Sequence, residues 1–133
     1  MKRILSWVLL CLSLTSNAQN WQLTGFTKAD AENPILSPSL EARFLDPITS
    51  KKVGWENKNV LNPTALVRNG LVHLLYRAQD SVGTSRIGLA TSADGIHFKK
   101  SPEPILFPSN DAFRGFEWPG GIEDPRIVET EDG

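Results

Sequence analysis

From residue 60 onward, apolar and polar positions alternate in short runs separated by turn residues. Leu71-Val72-His73-Leu74-Leu75-Tyr76-Arg77 is rich in β-branched, aromatic and aliphatic residues and follows Asn69-Gly70, while Thr64 to Val67 precede the same pair. An Asn-Gly turn between two such runs predicts a β-hairpin. Arg86 to Thr91 supplies a third strand, and the turn Asp94-Gly95 leads into a further run, Ile96-His97-Phe98. No window sustains a helical period, and nine prolines punctuate the chain. The expected fold class is all-β.

Two stretches recur in order. Asn33-Pro34-Ile35-Leu36-Ser37-Pro38 resembles Glu103-Pro104-Ile105-Leu106-Phe107-Pro108, and Asn62-Pro63-Thr64-Ala65-Leu66-Val67 resembles Asp124-Pro125-Arg126-Ile127-Val128, with Asn69-Gly70 answered by Asp132-Gly133. Short strands repeating at this spacing predict β-propeller blades. One blade and part of a second cannot close a ring or bury their own faces, so the 133 residues are expected to be the N-terminal part of a longer protein.

The start of the chain has a different character. Lys2 and Arg3 precede an apolar run from Ile4 to Leu14, and Ser16-Asn17-Ala18 offers small residues before Gln19. This reads as a signal peptide over residues 1–18, leaving 19–133 as the propeller part. Acylation of Cys11 is disfavoured because Leu10 stands where such sites need a small side chain. The apolar run is too short to span a bilayer. Cleavage would remove the only Cys and leave a charge of −3, pointing to a secreted or periplasmic bacterial protein without disulfides. The whole chain is 40% hydrophobic and 22% charged with a net charge of −1, a globular composition with no basic field for nucleic acid.

Candidate chemistry gathers at strand ends. Asn62 and Asp124 hold matching repeat positions, each before a proline, which favours an extended conformation for its predecessor. They read either as site residues, with Asp124 a general acid or base, or as turn-formers. If residues 124–128 are extended, Asp124 and Arg126 share one face and Glu123 takes the other. A guanidinium beside Asp124 would lower its pKa, in conflict with a role as proton donor. Arg77 and Gln79 share one face at the end of their strand, while Asp80 shares the other with Tyr76, and Arg86 opens the next strand. These groups suit sugar hydroxyls, carboxylates or phosphate, or a cross-strand ion pair. Trp21, Trp55 and Trp118 could stack on sugar rings or pack internally. His73 and His97 lack partners at metal-ligand spacing, so no metal is expected.

Asn33-Pro34-Ile35-Leu36, Trp55-Glu56, Val60 to Pro63, Leu75 to Asp80, Ser85 to Ala90, Ser92 to Phe98 and Gly121-Ile122-Glu123-Asp124-Pro125-Arg126 together resemble glycoside hydrolase family 130. The resemblance covers residues 33–133. It implies a five-bladed β-propeller in the complete protein, here about its first one and a half to two blades. It also implies an enzyme that cleaves β-mannosidic bonds with inversion, by phosphorolysis or hydrolysis, on a β-mannoside oligosaccharide. On this resemblance Asp124 is the proton donor, acting through a sugar hydroxyl, and Asn62, Arg77, Asp80, Arg86 and Arg126 are substrate-binding. No cofactor is implied beyond inorganic phosphate as co-substrate of a phosphorylase. A homo-oligomer of the full-length form is left open. The alternatives are another five-bladed glycosidase acting on arabinan or xylan, and a carbohydrate-binding propeller without catalysis.

Overall fold

The structure, a computed structural model, describes residues 25–130; the expected signal peptide and the turn Asp132-Gly133 lie outside them. The strands are β1 (Phe44–Asp46), β2 (Lys51–Val53), β3 (Asn59–Arg68), β4 (Leu71–Gln79), β5 (Ser85–Ser92) and β6 (Lys99–Lys100), followed by one helical turn, α1 (Arg114–Glu117). β1 and β2 form a small antiparallel pair, and β3-β4-β5-β6 form a four-stranded antiparallel meander. The all-β expectation holds, and the meander has the form of one propeller blade.

Local chemistry explains the joints. Asn69 and Gly70 both have positive φ (53° and 74°), as a two-residue hairpin turn of the right twist requires, and Arg68 pairs with Leu71 across it. The run Ile96 to Phe98 is not a strand. The Asp94 carboxylate accepts the backbone N–H groups of Ile96 and His97, at 2.9 and 2.8 Å, so neither is left for a ladder; pairing resumes only at Lys99. α1 departs from the expectation of no helix, but a single turn is too short to show a period in the sequence. The pair β1-β2 was not predicted either. Its turn is organised by Asp46, whose Oδ1 accepts N–H groups from Ile48 and Thr49.

The core lies on one face of the meander. Phe44, Trp55, Leu74, Tyr76, Ala78 and Ala90 are buried, with Leu36, Val60 and Phe107 packed against them. Trp55 is fully buried, stacks on Tyr76 at 6.3 Å and donates its indole N–H to the Pro102 carbonyl, so it serves the core and not a sugar. Tyr76 donates to the buried Glu56 carboxylate at 2.9 Å; burial first, then the Glu56 charge and hydrogen bond, push its phenol well above the ordinary range. Lys100 completes this group by donating to Glu56 and to the Ser37 carbonyl, pinning the N-terminal segment to the blade.

Candidate functional site

β3 pairs in register with β4 up to Leu61–Arg77 and resumes at Thr64–Leu75, so three steps on β3 oppose two on β4. The extra residue is a β-bulge at Asn62-Pro63. A bulge accommodates the proline, which has no N–H for the ladder, and re-aims the side chain beside it. Asn62 has φ 45° there. The expectation of an extended residue before proline therefore fails at Asn62, and it fails identically at Asp124, where φ is 48°. Asn and Asp tolerate the left-handed region better than other residues with a Cβ, because their short polar side chains can bond locally. That the two repeat positions share this uncommon backbone is structural support for the repeat.

The two positions also touch. Asn62 Nδ2 donates to Asp124 Oδ1 at 2.5 Å, across 62 residues of sequence. Arg77, opposite the bulge on β4, sends Nη1 to within 3.6 Å of the same oxygen. Its Nη2 donates to Glu123 Oε1 at 2.5 Å. Ser85, first residue of β5, accepts from Arg77 Nε at 3.0 Å and from Gln79 Nε2 at 3.3 Å, and donates to Glu123 at 3.3 Å. The expected alternation between Glu123 and Asp124 does not occur, because residues 122–130 form no strand and the positive φ at Asp124 turns both carboxylates toward one guanidinium. Glu123 and Ser85 are thus site residues that the sequence reading missed; strand periodicity placed Glu123 on the wrong face.

Backbone contacts set the approach of this segment. Ser85 N–H donates to the Gly120 carbonyl at 2.9 Å, and Ile122 N–H donates to the Ser85 carbonyl at 3.0 Å, a parallel bridge that lays residues 120–122 along the start of β5. A Cβ on Gly121 would stand 2.1 Å from the Ser85 oxygen, and its φ is +99°, so only glycine fits.

Asp124 is held below the usual carboxylate range, first by the Asn62 hydrogen bond, against the opposing effect of burial, and then by the charges of Arg77 and Arg126. Arg126 itself donates to the backbone carbonyls of Asp124 and Pro125 and makes no hydrogen bond to the carboxylate. Its expected place beside Asp124 is met through charge and the main chain only.

Asp80 and Arg86 sit elsewhere. Arg86 is 1% exposed and donates to Asp80 at 2.9 Å and to Asp46 at 2.6 Å, with the Phe44 ring 5.1 Å from its guanidinium carbon. Asp80 also accepts N–H groups from Val82 and Thr84, closing the β4–β5 turn. In the described residues both side chains are turned from solvent and taken up by one another and Asp46, in contrast to the open group of Asn62, Arg77, Glu123 and Asp124.

The chain is similar to several known proteins. A family profile described as β-1,4-mannooligosaccharide phosphorylase, of glycoside hydrolase family 130, matches residues 26–133. A 1,2-β-oligomannan phosphorylase of Thermoanaerobacter sp. (strain X514) is 35% identical over 109 residues, covering 76% of this chain and 31% of its own length. A β-1,2-mannobiose phosphorylase of the same organism is 30% identical over 118 residues, covering 77% and 33%. Among solved structures, a glycosyl hydrolase from Bacteroides ovatus is 42% identical with a TM-score of 0.82, over 86% of this chain and 34% of that one. A structure from work on family members that hydrolyse β-1,2 mannosidic linkages in Candida mannan is 43% identical with a TM-score of 0.82, over 86% and 33%. The chain therefore spans about a third of the length of the relatives it matches. With the profile running through all four site residues and the fold shared at this identity, the chain belongs to glycoside hydrolase family 130.

Proposed function

We propose that the full-length protein cleaves β-mannosidic bonds of manno-oligosaccharides with inversion at a five-bladed propeller channel, with Asp124 as the proton donor. The observation that carries this reading is the convergence of the repeat-related Asn62 and Asp124, together with Arg77 of β4, at one end of the blade. Adjacent blades of a ring bring their equivalent inner positions together at such an end.

In the reaction the bond between the anomeric carbon and the glycosidic oxygen breaks as phosphate or water attacks from the opposite face. The departing oxygen takes a proton from a sugar hydroxyl, which is replenished by the acid form of Asp124. Asn62 and Arg77 orient the sugar and the carboxyl group, and Arg126 stiffens the Asp-Pro segment. Arg86 and Asp80 lock the β4–β5 turn that follows Arg77. Asp124 favours its ionised form in the free site. Bound sugar excludes water there and shifts the balance toward the acid form. The signal-peptide expectation for residues 1–18 supports a reaction outside the cytoplasm.

The test uses the full-length protein on β-1,2- and β-1,4-mannobiose, with and without inorganic phosphate. Phosphorolysis yields one mannose 1-phosphate and one mannose per mannobiose and requires phosphate. Hydrolysis yields two mannoses and no mannose 1-phosphate, with or without phosphate. An α-configured mannose 1-phosphate or newly released mannose identifies inversion. Asp124→Asn is expected to lower turnover about 10²–10⁴-fold with sugar binding retained. Unchanged turnover in that variant would overturn the assignment.

A further inference from the structure

Arg77 has two carboxylates to choose between and is not shared evenly. Its Nη2 lies 2.5 Å from Glu123, whereas Nη1 stands 3.6 Å from Asp124, beyond hydrogen-bond length. Ser85 reinforces the bias, because its hydroxyl accepts from Arg77 Nε and donates to the same Glu123 oxygen. Arg77 is only 16% exposed, so its position is governed by these partners more than by water. We propose that Glu123 is a positioning residue: it draws the Arg77 guanidinium onto its own carboxylate and so leaves Asp124 with the weaker share of that cation.

The consequence follows from charge alone. A guanidinium in full contact with Asp124 would stabilise its carboxylate and work against proton donation. The other groups facing Asp124 are few. Asn62 on β3 is neutral, Arg77 is the cation on β4, and on its own segment Glu123 is anionic while Arg126 is occupied by the carbonyls of Asp124 and Pro125. Arg77 is therefore the adjustable cation, and Glu123 controls it. The inference rests on Asp124 as proton donor, and it gives Glu123 a task that requires no contact with the sugar.

The experiment follows two readouts in the full-length protein: the titration of the Asp124 carboxyl carbon by ¹³C NMR with labelled aspartate, its signal assigned by loss in Asp124→Asn, and the high-pH limb of kcat/KM on β-mannobiose. In Glu123→Gln, Arg77 closes on Asp124, so the Asp124 midpoint falls by about half a unit to one unit. The rate limb moves down by the same amount, costing about three- to tenfold in rate above the midpoint. Glu123→Asp, which keeps the charge, restores much of both. In an Arg77→Gln background, Glu123→Gln lowers the midpoint by clearly less, leaving only the direct loss of its own like charge; an equal fall in both backgrounds overturns the inference. A midpoint that stays or rises in folded Glu123→Gln overturns the inference. A midpoint that falls while the rate limb stays supports the sharing of Arg77 and counts against Asp124 as the acid, so the two failures are distinct.

Discussion

Asn62 shows how much one side chain can carry. Its left-handed backbone makes the bulge, the bulge accepts Pro63, and the amide reaches Asp124. The same hydrogen bond is the leading cause of the lowered Asp124 pKa. Asn62→Gly keeps the backbone conformation, since glycine adopts positive φ freely, and deletes only the donor. The expected result is an Asp124 that titrates nearer the ordinary carboxylate value. On the proposed assignment of Asp124 as proton donor, active in its acid form, the high-pH limb of kcat/KM should move upward, in the direction opposite to Glu123→Gln. A pH profile of the variant checks this. The candidate acid itself was legible in the sequence, through its place before a proline and its match with Asn62. The conformation at both positions was not, because the steric bias of a following proline is a preference that the asparagine and aspartate side chains, once bonded, can outweigh.

At the scale of elements, the decisive joint is the bridge between Ser85 on β5 and residues 120–122. It brings the Asp124 segment of the second repeat unit beside the first and thereby Asp124 beside Asn62. Gly121→Ala forces a methyl against the Ser85 backbone at a φ unsuited to alanine. We expect the segment to lift from β5 and activity to fall about 10²-fold, the scale of a 1 Å misplacement at a reacting centre. The meander should persist, since β3–β5 pairing does not involve Gly121. Comparison of turnover with the thermal unfolding midpoint separates the two. The strands and the Asn-Gly turn were readable because alternation and positive-φ residues are local signals. The run Ile96 to Phe98, which forms no strand, and the unpredicted β1-β2 pair share one cause: single aspartates, Asp94 and Asp46, capture backbone N–H groups that periodicity assigns elsewhere.

At the scale of the whole molecule, the buried Arg86 ties β5 to β1 through Asp46 and to the β4–β5 turn through Asp80. Breaking such a pair strands a charge without its partner. Asp46→Asn should therefore cost about 3–5 kcal/mol, measurable by denaturant unfolding of the full-length protein. Burial opposes the ionised form of Asp46, but hydrogen bonds from Thr49 and Arg86 and the charge of Arg86 outweigh it, and the pKa is lowered. A lowered carboxylate pKa contributes stability above the ordinary value near 3.8 that is lost as pH falls through the lower folded value. The acid-side loss of stability should thus be shallower in the Asn variant.

The amino-acid sequence determined the strand content, the hairpin turn, the repeat and, through motifs spread over residues 33–133, the resemblance to the family, because each of these is written in neighbours along the chain or in recurring strings. Only the tertiary structure decided which charged groups stay open and which are sealed in. Arg77 and Arg86 look alike in sequence, one near the end of a strand and the other near the start of the next. Folding places Arg77 where β3, β4 and the Glu123-Asp124 segment meet at an open edge, and Arg86 where three acidic and aromatic side chains close over it. That difference comes from contacts 40 or more residues apart, between Asp46 and Arg86 and between Arg77 and Glu123, which no local pattern records.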